Sequence, residues 1–431
     1  MKLIWLLPVV LVSTGVALMP GVAAPPLGTD SAQGPWKVEI TLYDNPDAGR
    51  MYVGDATLLA KDALIVPITW WPRADVPRYE WYEEGDAVSL NLISRDRGLS
   101  WRIYEGPSPP EKALTLKDGS LLRIAPKPGY YGQHPNSERD KYVQQDYYLY
   151  EIPEKKMFAI TLGFEKHVST DRGKTWHASD LVLPHQAEIN GYGMATAKML
   201  SDGTVLMPTY GRPTRHHRAR SCGVLRSADQ GQTWQLINVA FDESPAAIGD
   251  DANSGTSLSP PPPAGVRAFD EAQVLETKKA GRLILIVEEQ FTKDLYACIS
   301  EDSGRTWSKP RKTGMHGVTP LLLRLKSGAI ACAYTNRYHG NENERGMRVC
   351  YSHDDGETWD TESPAILRDY NARADGQCLW NFVQFSDGTL FASGWGAKTG
   401  CGGGNEISYA VGFRFTEGFR TPVRTIPRPR P

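Results

Sequence analysis

The stretch SHDDGETW (residues 352–359) decides the architecture of this chain. It runs Ser, then Asp two residues on, Gly two further, then Thr and Trp. The pattern returns as STDRGKTW (169–176), SADQGQTW (227–234) and SEDSGRTW (300–307), and more loosely as SRDRGLSW (94–101). Repetition on this scale implies one supersecondary unit used several times. Ser, Asp and Thr side chains can bond the backbone of a turn. Gly can take a left-handed conformation, and Trp can plug a seam between sheets. The boxes are therefore read as structural, and their aspartates are set aside as catalytic candidates.

A second repeat lies between the boxes. KDALIVP (61–67), KDGSLLRI (117–124), SDGTVLMP (201–208), KAGRLILI (279–286), KSGAIACA (326–333) and SDGTLFAS (386–393) each place a turn before an apolar strand. Such turns before apolar runs are hairpin signals. Another apolar strand precedes most of them, as in ATAKML (195–200) and PLLLRL (320–325). One unit is thus strand, turn, strand, connection, strand, box, strand. Six units predict an all-β, six-bladed β-propeller of four-stranded antiparallel blades. The sixth unit has no box, and ISYAVGFRF (407–415) is its third strand.

The 431 residues are 40% hydrophobic with a net charge of −2, enough for a large core and without global steering toward nucleic acid or membrane. Lys2, an apolar run from Leu3 to about Leu18 and small residues at Gly21–Ala24 read as a signal peptide over 1–24, which implies a secreted or periplasmic protein with no membrane span after cleavage. A linker is expected over 25–35, the propeller over 36–420 and a Pro/Arg-rich tail over 421–431. None of the six Cys shows a zinc spacing, and no metal or organic cofactor is called for. Cys332 and Cys350 fall on neighbouring strands and Cys378 and Cys401 flank a hairpin, so each set is either a disulfide or buried thiols.

The turns and the boxes share one face of such a fold. The opposite ends of the first two strands of each unit form the ligand face. Before the turns these positions hold Tyr52, Glu111, Asn190, Tyr192, Asp270, Glu271, His316, Gln377 and Trp380. After the turns come Trp70, Trp71, Tyr210, Arg212, Glu288, Glu289, Arg337 and Trp395. Aromatic faces stack on sugar rings and polar pairs fix hydroxyls, so this composition reads as a glycan cleft.

The boxes match the Asp-box of the sialidase superfamily, which the chain resembles from about Arg50 to Phe415. The segment GVTPLLLRLKSGAIACAYTNRYHGNENERGMRVCYSHDDGETW (317–359) resembles its bacterial members, and the resemblance implies that Arg337 and Arg348 clamp a sugar carboxylate. FDEAQVLETKKAGRLILI (269–286) resembles the segment whose glutamate activates a tyrosine nucleophile, which implies that role for Glu271. The chain also departs from the family. Leu379 or Trp380 stands where the nucleophilic Tyr is expected, Glu288 and Glu289 stand where an arginine is expected, and Arg50 is the one nearby candidate for the first clamp arginine.

The leading expectation is therefore an exported glycoside hydrolase of sialidase type acting on acidic glycans. Glu271 is its base partner, and Tyr192 or Tyr338 its nucleophile. Arg337, Arg348, Arg212, His316, Trp380, Gln377 and Glu288 are its binding residues. TYGRPTRHHRARS (209–221) supports an alternative, a polysaccharide lyase using Tyr192, His216 or His217 and Arg212. A non-catalytic glycan-binding propeller with Trp70, Trp71, Trp380 and Trp395 as a stacking surface is the third reading. No nucleic-acid partner is expected, and the oligomeric state is left open.

Overall fold

The computed structural model describes residues 35–44, 50–71, 88–106, 113–127, 131–145, 147–152, 155–182, 188–190, 197–212, 217–248, 264–336, 346–369, 378–397 and 408–420. The signal-peptide and tail expectations lie outside these residues. Among the described residues no helix is long and apolar enough to cross a membrane.

The chain is all-β, and the unit expected from the repeats recurs in sheet after sheet. Blade four shows it plainly. Phe269–Glu276, Leu283–Glu289, Asp294–Ser300 and Arg311–His316 lie side by side in chain order, each antiparallel to the next. Blade five repeats it with Val318–Arg324, Ile330–Asn336, Gly346–Ser352 and Ala365–Asp369. Among the described residues six sheets follow this plan, and a seventh of three strands is inserted in blade two. That insert holds Tyr131–Pro135, Tyr150–Ile152 and Met157–Thr161, with a short helix at Arg139–Gln144.

Blade six takes its fourth strand from the other end of the chain. Cys378–Gln384, Leu390–Ala397 and Ser408–Phe415 are completed by Lys37–Asp44, which pairs antiparallel with the third strand from Lys37↔Phe415 to Asp44↔Tyr409. Asn381 then ties this blade to blade one. Its Oδ1 accepts the Ala56 N–H at 2.7 Å, and its Nδ2 donates to the Gly54 carbonyl at 2.9 Å.

Apolar residues fill the seams. Leu206 and Val224 of blade three meet Val274 and Leu285 of blade four. Ile284 and Ile286 meet Ile330 and Cys332 of blade five, and Val349 meets Val411 and Phe413 of blade six. Phe385 and Phe391 of blade six meet Leu64 and Val66 of blade one. Both faces of each strand are covered this way, which explains the near-continuous apolar runs after the turns.

The boxes have the expected internal bonds. In SADQGQTW the Asp229 carboxylate accepts from Ser227 Oγ, Thr233 N and Thr233 Oγ1, and Trp234 Nε1 donates to the Gly231 carbonyl at 3.0 Å. They also do something the sequence did not reveal. Gly231 has φ +88° and a Cβ there would sit 2.7 Å from Leu122 of the preceding blade. A Cβ on Gly356 would likewise collide with Ile284, again one blade back. The glycine thus serves both the left-handed turn and the docking of each box on its neighbour.

These turns also make the fold acid-sensitive. Burial pushes the Asp229, Asp302 and Asp354 carboxyls up, but hydrogen bonds from the box Thr and Ser outweigh it and hold each at about 2. A folded value below the unfolded 3.8 contributes stability above that value, which is lost as pH falls toward about 2. Asp354→Asn should therefore flatten the acid limb of the unfolding curve between pH about 4 and about 2. An acid limb with unchanged slope would show that the boxes do not set it.

For Cys332 and Cys350 the buried-thiol reading holds: they are direct cross-strand partners and both are buried free thiols, as are Cys222 and Cys298. Cys350 Sγ lies 3.5 Å from Tyr334 Oη, and Cys378 Sγ lies 3.0 Å from Thr319 Oγ1. Cys401 lies outside the described residues.

Candidate active site

The end of the blades away from the turns and boxes gathers carboxyl groups at the seam of blades three and four. Asp270 and Glu288 stand directly opposite each other on neighbouring strands. Like charges in that relation repel, so the arrangement costs stability unless protons or cations offset it. Asp270 accepts from Arg220 Nη1 at 2.9 Å. Glu288 Oε1 accepts from Lys293 Nζ. The second oxygen, Glu288 Oε2, is buried without a hydrogen-bond partner.

Glu271 lies between them in sequence and on a bulge in structure. Asp270 pairs with Glu288 and Gln273 with Ile286, so the first strand of blade four carries one residue more than its partner. Glu271 takes φ +46° there. A non-glycine residue in the left-handed region costs on the order of 1–3 kcal/mol and persists where its surroundings hold it. Two bonds hold this one. Asp270 Oδ1 accepts the Glu271 N–H at 3.0 Å, and Glu271 Oε2 accepts the Thr319 N–H of blade five at 3.0 Å. Thr319 sits on a bulge of the same kind and is itself left-handed, at φ +52°.

The electrostatics follow from this crowding. Burial lifts the Asp270 carboxyl, Arg220 pulls it down, and Glu271 pushes it up again, leaving it at about 6. Burial lifts Glu288 further, with Glu271 the largest charge acting in the same direction and Lys293 opposing. Burial, then Asp270 and Glu271, also push the Tyr210 hydroxyl up. The seam therefore holds carboxyls that keep a proton in the range where free carboxylates have lost theirs.

The other expected residues are distributed around this centre. Arg212 is buried at the end of its strand, with its guanidinium 5.3 Å from the Tyr148 ring of the insert. His316 Nδ1 lies 3.3 Å from Asp294 Oδ1 on the outer part of blade four. Arg348 is buried opposite Tyr334 on the third strand of blade five, 3.7 Å from Asp369. Trp380 is the bulged residue of blade six, packed on Trp395 at 5.5 Å. Tyr192, Arg337, Tyr338 and Gln377 lie outside the described residues. Arg220, Lys293 and Thr319 belong to the site and were not singled out from sequence, because they reach it from a third strand, a connection and a neighbouring blade.

A family model described as BNR repeat-like domain matches residues 150–414. No curated relative matches the chain. Among solved structures it is similar to a protein of unknown function from Dyadobacter fermentans DSM 18053, at 20% identity and TM-score 0.55, covering 89% of this chain and 99% of that one. It is similar to the NanB sialidase of Streptococcus pneumoniae at 12% identity and TM-score 0.51, covering 88% of this chain and 71% of that one. An α-L-arabinanase of Penicillium chrysogenum aligns at 12% identity and TM-score 0.48, covering 88% and 98%. The first two likenesses establish a sialidase-like fold. With its family model spanning more than half of its length, the chain belongs to the BNR repeat-like domain family.

Proposed function

We propose that this protein is an exported glycoside hydrolase in which carboxyl groups of unlike environment divide the acid and base work. Glu271 is the base or nucleophile, oriented by the Thr319 N–H. Glu288, buried and crowded by Glu271 and Asp270, holds the proton. The observation that carries this reading is Glu288 Oε2, a buried carboxyl oxygen without a partner beside two further acids. Pairs of carboxyls pushed apart in proton affinity are the working parts of most glycosidases. The acid gives its proton to the glycosidic oxygen as the C–O bond breaks. Glu271 either attacks the anomeric carbon or takes a proton from the attacking water. The Lys2–Ala24 segment supports action outside the cytoplasm.

The substrate this geometry favours is a neutral sugar. Arg220 and Lys293, at the seam, are each already engaged by an acid of the site. The second reading is sialidase-type hydrolysis of an acidic glycan, supported by Tyr210 lying in the field of Asp270 and Glu271, a tyrosine–carboxylate set.

The test is turnover of 4-methylumbelliferyl glycosides, with the α-L-arabinofuranoside and the sialoside as the two leading members. We expect release from the neutral member and a rate that falls as pH rises and Glu288, whose carboxyl burial lifts well above its usual range, gives up its proton. Release from the sialoside alone would favour the second reading. Unsaturated products absorbing in the ultraviolet would make the protein a lyase, and binding without turnover would make it a lectin-like propeller.

A further inference from the structure

Three successive blades carry a bulge at the same place on their first strand. In blade four the bulge holds Glu271, in blade five Thr319, and in blade six Trp380. The first is the carboxylate of the proposed site, and the second grips it through its N–H. Trp380 stands at the matching position of the next sheet but one. Its indole packs on Trp395, whose ring lies 5.2 Å from Tyr52. Trp70, at the end of its strand, packs on the same cluster and lies 6.2 Å from Tyr43.

This seam is packed differently from the others. At the seams of blades three to five the rings Tyr210, Phe269, Tyr296 and Tyr334 are closed into the core among Leu, Val, Ile and Ala. At the seam of blades six and one Trp380, Trp70 and Tyr52 stay half-buried rather than closed into the core. A seam needing only to exclude water has no use for indoles left part open at the end where the carboxyls lie. Indole faces suit the C–H face of a sugar ring.

We propose that Trp380, backed by Trp395, is a stacking platform for a sugar ring of the substrate, at the same end of the blades as Glu271. The proposal rests on the glycoside hydrolase reading for its choice of ligand. It assigns the blade-six bulge to binding and the blade-four bulge to chemistry.

The test is a titration of intrinsic tryptophan fluorescence with arabinobiose and with 3′-sialyllactose. The proteins are Glu271→Gln and the same variant carrying Trp380→Phe or Trp380→Ala. In Glu271→Gln alone, one sugar should shift the emission and saturate. Trp380→Ala should weaken that sugar by about tenfold or more, and Trp380→Phe by only a few-fold, since a phenyl ring keeps part of the stacking. Because Trp380 also packs the seam, each variant's thermal melt is recorded. Trp380→Phe should melt close to its parent, so its intermediate affinity separates binding from folding. Equal affinity in all three proteins, or no emission change with either sugar at high millimolar concentration, overturns the platform. Full turnover by Glu271→Gln would sink the carboxylate mechanism while leaving a Trp380-dependent loss of affinity in place.

Discussion

Glu271→Gln should lower turnover by about three to four orders of magnitude, the usual scale for losing a positioned acid, base or carboxylate nucleophile. The fold should survive the change. Gln keeps a side-chain oxygen to accept the Thr319 N–H, which Glu271 Oε2 now accepts at 3.0 Å. It removes one acid from a seam where burial and crowding already raise Asp270 and Glu288. The melting temperature at neutral pH should therefore equal or exceed that of the wild type, in line with a site that trades stability for function. Glu271→Gly makes the same point through the backbone. It relieves the left-handed φ of +46° and should stabilise by on the order of 1 kcal/mol while abolishing activity. Turnover within tenfold of wild type in Glu271→Gln, with the fluorogenic substrate that wild type cleaves best, would remove Glu271 from the chemistry.

The second large effect concerns the strand Lys37–Asp44. Deleting residues through Asp44 should leave a protein that does not accumulate in soluble, monomeric form. The strand completes blade six by pairing with Ser408–Phe415 along its length. It also inserts Leu42 into the core shared by blades six and one. Glu39 pairs with Arg368, and Lys37 Nζ donates to the Leu367 carbonyl at 2.7 Å, so the strand clasps blade five as well. Without it the third strand presents an open edge, which invites pairing with another chain. The loss of core and pairing together should exceed a typical total stability of about 5–15 kcal/mol. Leu42→Ala isolates the packing part and should cost about 2–4 kcal/mol in denaturant unfolding. A soluble truncated monomer with wild-type melting behaviour would show that the blade stands without its N-terminal strand.

The blades were readable one at a time because each is written locally. The turn before an apolar run and the box before a short strand are signals within a few residues of the elements they specify. Strand direction alone put Glu271, Glu288, Asp270 and Tyr210 at one end of the blades. The free thiols were harder. Cys332 and Cys350 are neighbours, as their spacing implied, but adjacency does not make a bond.

What could not be read was everything supplied by a distant part of the chain. The pairing of Lys37 with Phe415 leaves no trace in either segment, since any apolar strand can complete a sheet. Arg220, Lys293 and Thr319 carry no motif; they matter because a third strand, a connection and the next blade bring them to Asp270, Glu288 and Glu271. The bulges are likewise invisible in a string of letters, yet they turn Glu271 and Trp380 off the regular pleat. Local patterning was enough to specify the unit and its repetition, because backbone propensities act over a few residues. The closing strand and the charge state of the carboxyls arise only from packing, because both depend on which groups are desolvated together once the sheets meet.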